Sequence, residues 1–248
     1  MLDLRFATFD YEPYPTGLIK PVFDEGTYQG LVASYPAIEL FKFKPALGNK
    51  YSLSEVNNPA QYERFIESTP EWKRFHAYVK SKEFVAAILE FLVSRNIDLG
   101  IRRYKVVSRK PVARRASPLS LLLRRAELSA RFEFSMMGAD GGNILPHTDM
   151  PQKLITLVFS MIEPGAWDTA WGGGTDVVLP KDRSRLYNHV NNRLTFEDVE
   201  VIKTWDFSPN QCLLFIKTFN SWHSVSPMRG AGSGGLRKTL TINIEAKR

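Results

Sequence analysis

The stretch Leu145-Pro146-His147-Thr148-Asp149-Met150-Pro151-Gln152-Lys153, running into Leu154-Ile155-Thr156-Leu157-Val158-Phe159-Ser160-Met161, decides the fold class. Its second half is an almost unbroken apolar run, as a strand buried on both faces would be. Just upstream, residues 131–135 (Arg-Phe-Glu-Phe-Ser) alternate between polar and apolar, and residues 138–143 read as a turn. Downstream, residues 175–179, 199–205, 212–217 and 238–244 are further short β-rich runs, each bounded by Gly, Pro, Asn or Asp. Short strands at this spacing point to a sandwich or barrel rather than a parallel α/β sheet. Residues 182–198 form the one long polar interruption, and such loops in structured domains often bind ligands.

Before Leu128 the texture is different. Thr69-Pro70-Glu71 reads as a helix start, with a capping hydroxyl, proline in the first turn and an acid near the positive end of the dipole. Trp72, Phe75 and Val79 follow at helical spacing. Ser81 is placed to cap a second helix whose apolar face is Phe84, Ala87, Ile88, Phe91 and Leu92, ending at Asn96 or Gly100. With no internal repeat and no long linker, the reading is one domain over residues 1–248. Residues 1–127 form a helical part with a basic segment, and residues 128–248 form a β core carrying the metal site.

The 248 residues carry a formal charge of +7, and much of it is concentrated. From residue 101 to 125 there are nine Lys or Arg and no acid, a stretch that is either a solvated surface or a face for an anionic partner. Cys212 is the only cysteine, which excludes an internal disulfide and thiolate zinc sites and suits a small buried hydrophobe. The N-terminal residues have no basic stretch followed by an apolar one, and no segment is long enough to span a bilayer. The expectation is a cytoplasmic protein.

His147 and Asp149 stand two residues apart, so in an extended segment both heads reach one point. His223, after the strongest late strand, is the natural third ligand. Two imidazoles and one carboxylate on one face of a metal leave open positions, the arrangement of non-haem iron(II) oxygenases. After a Gly-rich turn, alternation puts Arg237, Thr239, Thr241 and Asn243 on one face of the last strand, with Leu240, Ile242 and Ile244 on the other. A polar face inside a barrel is expensive unless it meets a ligand or water. An arginine there is shaped to grip a carboxylate with both ends.

His147-x-Asp149, the distal His223 and then Arg237 resemble the signature of the Fe(II)/2-oxoglutarate-dependent oxygenases. The text between them, including Trp171-Gly172-Gly173-Gly174-Thr175 and Pro209-Asn210-Gln211-Cys212-Leu213-Leu214-Phe215, is similar to the prolyl-hydroxylase-like branch. The resemblance covers residues 131–245. It implies a mainly β fold with flanking helices (α+β): a double-stranded β-helix, or jelly-roll, core with N-terminal helices on its outer face. It also implies Fe(II) on His147, Asp149 and His223, with 2-oxoglutarate chelating the metal and its far carboxylate on Arg237. O2 would then drive hydroxylation with release of succinate and CO2. A hydroxyl or phenol usually assists the arginine, and Ser135, Thr156 and Thr239 are the candidates here.

Trp171, Asp176, Asn220, Arg229 and Asn243 are candidate substrate contacts; Trp167 and Trp222 are pocket walls or core. His189 reads as an exposed loop histidine. The leading expectation is a hydroxylase acting on an anionic small molecule, saccharide or lipid. The alternative is a peptidyl hydroxylase acting on a protein. Nucleic-acid demethylation by the same iron chemistry is disfavoured, because Asn243 stands where that branch carries a second arginine. A non-catalytic jelly-roll module binding metal or sugar has no use for an open metal position. Anionic-surface contact through residues 102–125 is a further expectation.

Overall fold

The structure, a computed structural model, describes residues 2–107 and 126–246. In chain order the first elements are β1 (Ala7–Asp10), β2 (Thr16–Ile19), α1 (Glu25–Ala33), β3 (Lys42–Lys44) and β4 (Lys50–Ser54). Then come α2 (Pro59–Ser68), α3 (Pro70–Val79), α4 (Lys82–Ser94) and β5 (Tyr104–Val106). The elements of the second half are mostly strands, with three single 3-10 turns: β6 (Ala126–Gly138), β7 (Ile144–His147), β8 (Lys153–Ser160), β9 (Thr175–Pro180), β10 (Val199–Trp205), β11 (Cys212–Ile216), β12 (His223–Val225) and β13 (Leu236–Ala246). A nine-stranded sheet runs β1-β2-β11-β8-β13-β6-β4-β3, with β5 also on β6, and a four-stranded sheet runs β10-β9-β12-β7. The fold is thus mainly β with flanking helices.

Alternation along the central strands gives the large sheet two unlike faces. On β13, Leu240, Ile242 and Ile244 are fully buried on one side, while Arg237, Thr239 and Asn243 are nearly as buried on the other. On β6, Phe132, Phe134 and Met136 oppose Glu133, Ser135 and Met137 in the same way. The apolar face packs on the helices: the Trp72 ring meets Phe134 edge-on at 4.7 Å, and Phe75 meets Phe159 at 6.2 Å. Edge-to-face aromatic pairs of this kind add about 0.5–1.5 kcal/mol each beyond area burial. The polar face turns toward the small sheet.

Both expected helices are present. Ser81 accepts from the Phe84 amide, and Asn96 is left-handed just past the end of α4. Thr69, however, makes no side-chain cap, because it ends α2 and starts α3 at once and its backbone is committed to both. The first 127 residues are also not simply helical: β1 to β4 extend the large sheet at both edges. These strands are three to five residues long, too short for their periodicity to be read. Of the basic segment, residues 108–125 lie outside the described residues. Arg102 and Lys105 are paired with Asp98 and Glu127, each at 2.6 Å. Cys212 is fully buried, as expected. Among the described residues no helix is long and apolar enough to cross a membrane.

His76 on α3 sits against Tyr62 and Phe132, at ring distances of 5.8 and 5.4 Å. Burial, helped by the Lys80 ammonium, pushes its pKa from 6.5 down to about 4. Between those two values the unfolded chain holds a proton that the folded chain refuses, so acidification through this window destabilises the fold. Thermal melting from pH 7 to 4.5 should therefore fall less steeply for His76→Phe than for the parent. Equal slopes would remove His76 from the account.

Candidate metal centre

His147 ends β7 and His223 opens β12, and the two are direct register partners across the small sheet. Their rings lie 4.3 Å apart. Each Nδ1 lies 2.9 Å from a carbonyl two residues earlier in the chain, Leu145 for His147 and Ser221 for His223. Donating Nδ1–H to those carbonyls fixes the tautomer and leaves both Nε2 lone pairs free to bind a metal. Those Nε2 atoms lie 3.7 and 4.0 Å from the two oxygens of Asp149. One ligand atom from each of the three residues falls within 4.8 Å of the others.

Asp149 reaches this point by a route that strand alternation does not describe. β7 stops at His147, and Asp149 has φ 64°, a left-handed conformation that Asp tolerates better than most residues. The turn swings the carboxylate inward. Lys153 Nζ donates to its Oδ1 at 2.5 Å, and Thr156 Oγ1 donates to its Oδ2 at 3.0 Å. The Asn243 side-chain oxygen, 2.9 Å away, is a second acceptor for the same hydroxyl, whose one proton serves either oxygen at a time. Burial alone would raise the Asp149 pKa, but the Lys153 ammonium and the imidazoles hold the carboxyl well below its ordinary range. Burial and then the neighbouring His223 push His147 down to about 3, and burial also lowers His223. At neutral pH the cluster therefore offers two neutral imidazoles and one carboxylate, the protonation state that binds a metal.

These residues line a cavity of about 310 Å³ together with Ser135, Arg237, Thr239 and Thr241 from the polar face of the large sheet. Arg237 is only 4% exposed. Its Nε donates to the Gly173 carbonyl at 2.5 Å, and its guanidinium lies over the Phe207 ring at 4.6 Å. Among the described residues it has no carboxylate in ion-pair reach, and burial pushes its pKa down to about 10. The cation persists, and among the described residues the hydrogen bond found on its guanidinium is the one from Nε to Gly173. Gly173 makes this possible: at φ 81° a Cβ there would come within 2.8 Å of Trp167 and 3.3 Å of the arginine itself.

The other expected residues divide. Ser135, Thr156 and Thr239 all line the cavity; the Ser135 and Thr239 hydroxyl oxygens lie 2.9 Å apart, and Thr156 Oγ1 lies 3.0 Å from Asp149. Asp176 is not among the residues lining the cavity: it accepts from Thr204 Oγ1, Ser224 Oγ, Ser226 N and Ser226 Oγ, which ties β9, β10 and β12 together. Asn220 donates to the Pro13 carbonyl, and Arg229 is exposed beside the Asp140 bridge. Trp171 packs on Trp167 and fills the space above Gly230 and Gly235. Asn243 acts through Thr156 and does not reach the cavity. Trp222 is core and anchors Leu186 through its Nε1. His189 is exposed and lies tilted against Phe219, with ring centroids 4.2 Å apart. The sequence reading did not single out Lys50, Lys153 or Arg193, which also line the cavity.

No family model and no curated protein matches the sequence. Solved structures do resemble it. A prolyl-4-hydroxylase from Pseudomonas putida superposes with a TM-score of 0.51 at 12% identity, over 94% of this chain and 93% of that one. A prolyl hydroxylase from Trichoplax adhaerens, in complex with a hypoxia inducible factor oxygen degradation domain peptide fragment, gives 0.48 at 10% identity, over 93% and 83%. HygX from Streptomyces hygroscopicus, with nickel and 2-oxoglutarate bound, gives 0.47 at 9% identity, over 93% and 82%. At 12% identity the likeness to the first of these is one of fold. The chain has the fold of the Pseudomonas putida prolyl-4-hydroxylase, in keeping with the resemblance to prolyl-hydroxylase-like oxygenases carried by His147, Asp149, His223 and Arg237.

Proposed function

We propose that the chain is an iron(II)- and 2-oxoglutarate-dependent dioxygenase, built on a double-stranded β-helix. It would hydroxylate an anionic small molecule, saccharide or lipid and release succinate and CO2. One observation carries the reading: a buried arginine with no carboxylate in ion-pair reach among the described residues shares a cavity with two imidazoles and a carboxylate converging on one point. An unpaired buried cation is costly, and a dicarboxylate that also chelates the metal removes that cost.

In this reading His147, Asp149 and His223 hold the metal, and Arg237 grips the far carboxylate of 2-oxoglutarate. The Ser135 and Thr239 hydroxyls offer it further hydrogen bonds. Once bound, iron and 2-oxoglutarate supply the oxidising chemistry with O2. The chain places the reactants and keeps the site dry. Phe215, at 4.3 Å from the His223 ring, and Val158 form apolar wall that excludes water from the ligands.

A peptidyl substrate is the second reading, favoured by the likeness to the Pseudomonas putida prolyl-4-hydroxylase. The cavity lies at the small end of the range for ligand sites, which favours a small molecule or a single protruding group. Adding Fe(II) and then 2-oxoglutarate without oxygen should produce a visible metal-to-ligand charge-transfer band. A colourless sample at saturating concentrations would sink the oxygenase reading.

A further inference from the structure

Among the described residues, four basic side chains line the cavity, Lys50, Lys153, Arg193 and Arg237, against the single lining carboxylate of Asp149. Lys50 is already offset by Glu133 at 2.9 Å, a carboxylate that Arg131 and Ser52 also hold. The remaining balance rests on the oxygenase reading. There, the two charges of the metal are met by Asp149 and one carboxylate of 2-oxoglutarate, and Arg237 is met by the other. Lys153 and Arg193 then face the same cavity, and among the described residues neither has a carboxylate in ion-pair reach other than Asp149 beside Lys153. Lys153 is the more demanding, because its side chain is only 16% exposed and its partner Asp149 is claimed by the metal.

Arg193 is more exposed, yet its backbone is fixed on both sides. The Asn188 side chain accepts from the Asn192 amide at 3.0 Å and donates to the Asn192 carbonyl at 2.8 Å. The Leu194 amide donates to the Pro146 carbonyl at 3.0 Å, next to the first metal ligand. The Leu194 side chain is buried with Val178, Val199 and Trp222. A long cation held between two anchored residues is preorganised for a ligand and loses less entropy on binding one.

We propose that Lys153 and Arg193 form an anion subsite that holds a carboxylate or phosphate group of the oxidised substrate. The loop of residues 182–198 is thereby a specificity element, and neutral substrates are disfavoured.

The test uses the full chain loaded with Zn(II), which is redox-inert, and saturating 2-oxoglutarate, so that Arg237 is occupied. Inorganic phosphate and, separately, acetate are titrated in and followed by calorimetry. At least one anion should bind saturably, and the one that does tells phosphate from carboxylate. Arg193→Gln and Lys153→Gln should each weaken it tenfold or more, while Arg193→Gln leaves 2-oxoglutarate affinity within twofold. Arg193→Gln decides the matter even where Lys153→Gln disturbs the metal. If neither anion saturates, or the parent and Arg193→Gln bind alike, the subsite is refuted and the oxygenase reading stands. If 2-oxoglutarate itself fails to bind, both fall together.

Discussion

Asp149→Asn should leave the fold intact and remove the metal. Asparagine is the informative replacement, because alanine at φ 64° would add about 1–2 kcal/mol of backbone strain to the loss of the ligand. The amide keeps the shape and can still accept from Thr156, but it lacks the charge that neutralises a divalent ion. Even outer-shell partners of metal ligands are worth about 10–100-fold in affinity, so loss of an inner ligand should cost more than about a hundredfold. Dialysed protein assayed for bound iron should contain almost none, and the charge-transfer band should vanish. Stoichiometric iron in Asp149→Asn would show that the triad is misassigned.

Arg237→Met should separate binding from stability. Removing one partner of a buried, hydrogen-bonded charge pair costs about 2–5 kcal/mol, which is roughly thirtyfold or more in the dissociation constant of 2-oxoglutarate. Metal affinity without 2-oxoglutarate should change little. The ligand-free fold should not weaken in proportion, because the substitution also removes a buried cation that has no carboxylate in ion-pair reach among the described residues. Titration of the iron-loaded variant with 2-oxoglutarate, alongside thermal melting of the ligand-free protein, gives both numbers. Unchanged 2-oxoglutarate affinity would strip Arg237 of its role.

The parts of the site legible in the sequence were those marked by residue type and alternation together. Arg237 stood out because the strand after it alternates cleanly, and His223 because it follows an apolar strand. His147 and Asp149 were paired for a reason that the backbone does not bear out: they converge through a left-handed turn, not along one strand. Lys153 and Arg193 carried no such mark, since one begins a strand and the other sits in a polar loop. Asp176 shows the opposite failure. A carboxylate in a β-rich stretch looks available until four donors from neighbouring segments are found on it. The short N-terminal strands were hidden for a similar reason. Their hydrogen-bond partners lie far off in the chain, as in the pairing of Thr16 with Phe215 and of Lys50 with Met137.

The two-faced character of β13 gives that strand something like a reading frame. Its even-numbered residues Leu240, Ile242 and Ile244 face the helices, and its odd-numbered Arg237, Thr239 and Thr241 line the cavity. A shift of one residue exchanges the faces of a strand completely. Losing one residue inside β13 would thus drive the arginine into the aromatic core and leucine against the metal site. Losing one from the glycine-rich turn before it shortens only a connection. Length is negotiable between the strands of this protein and quantised within them.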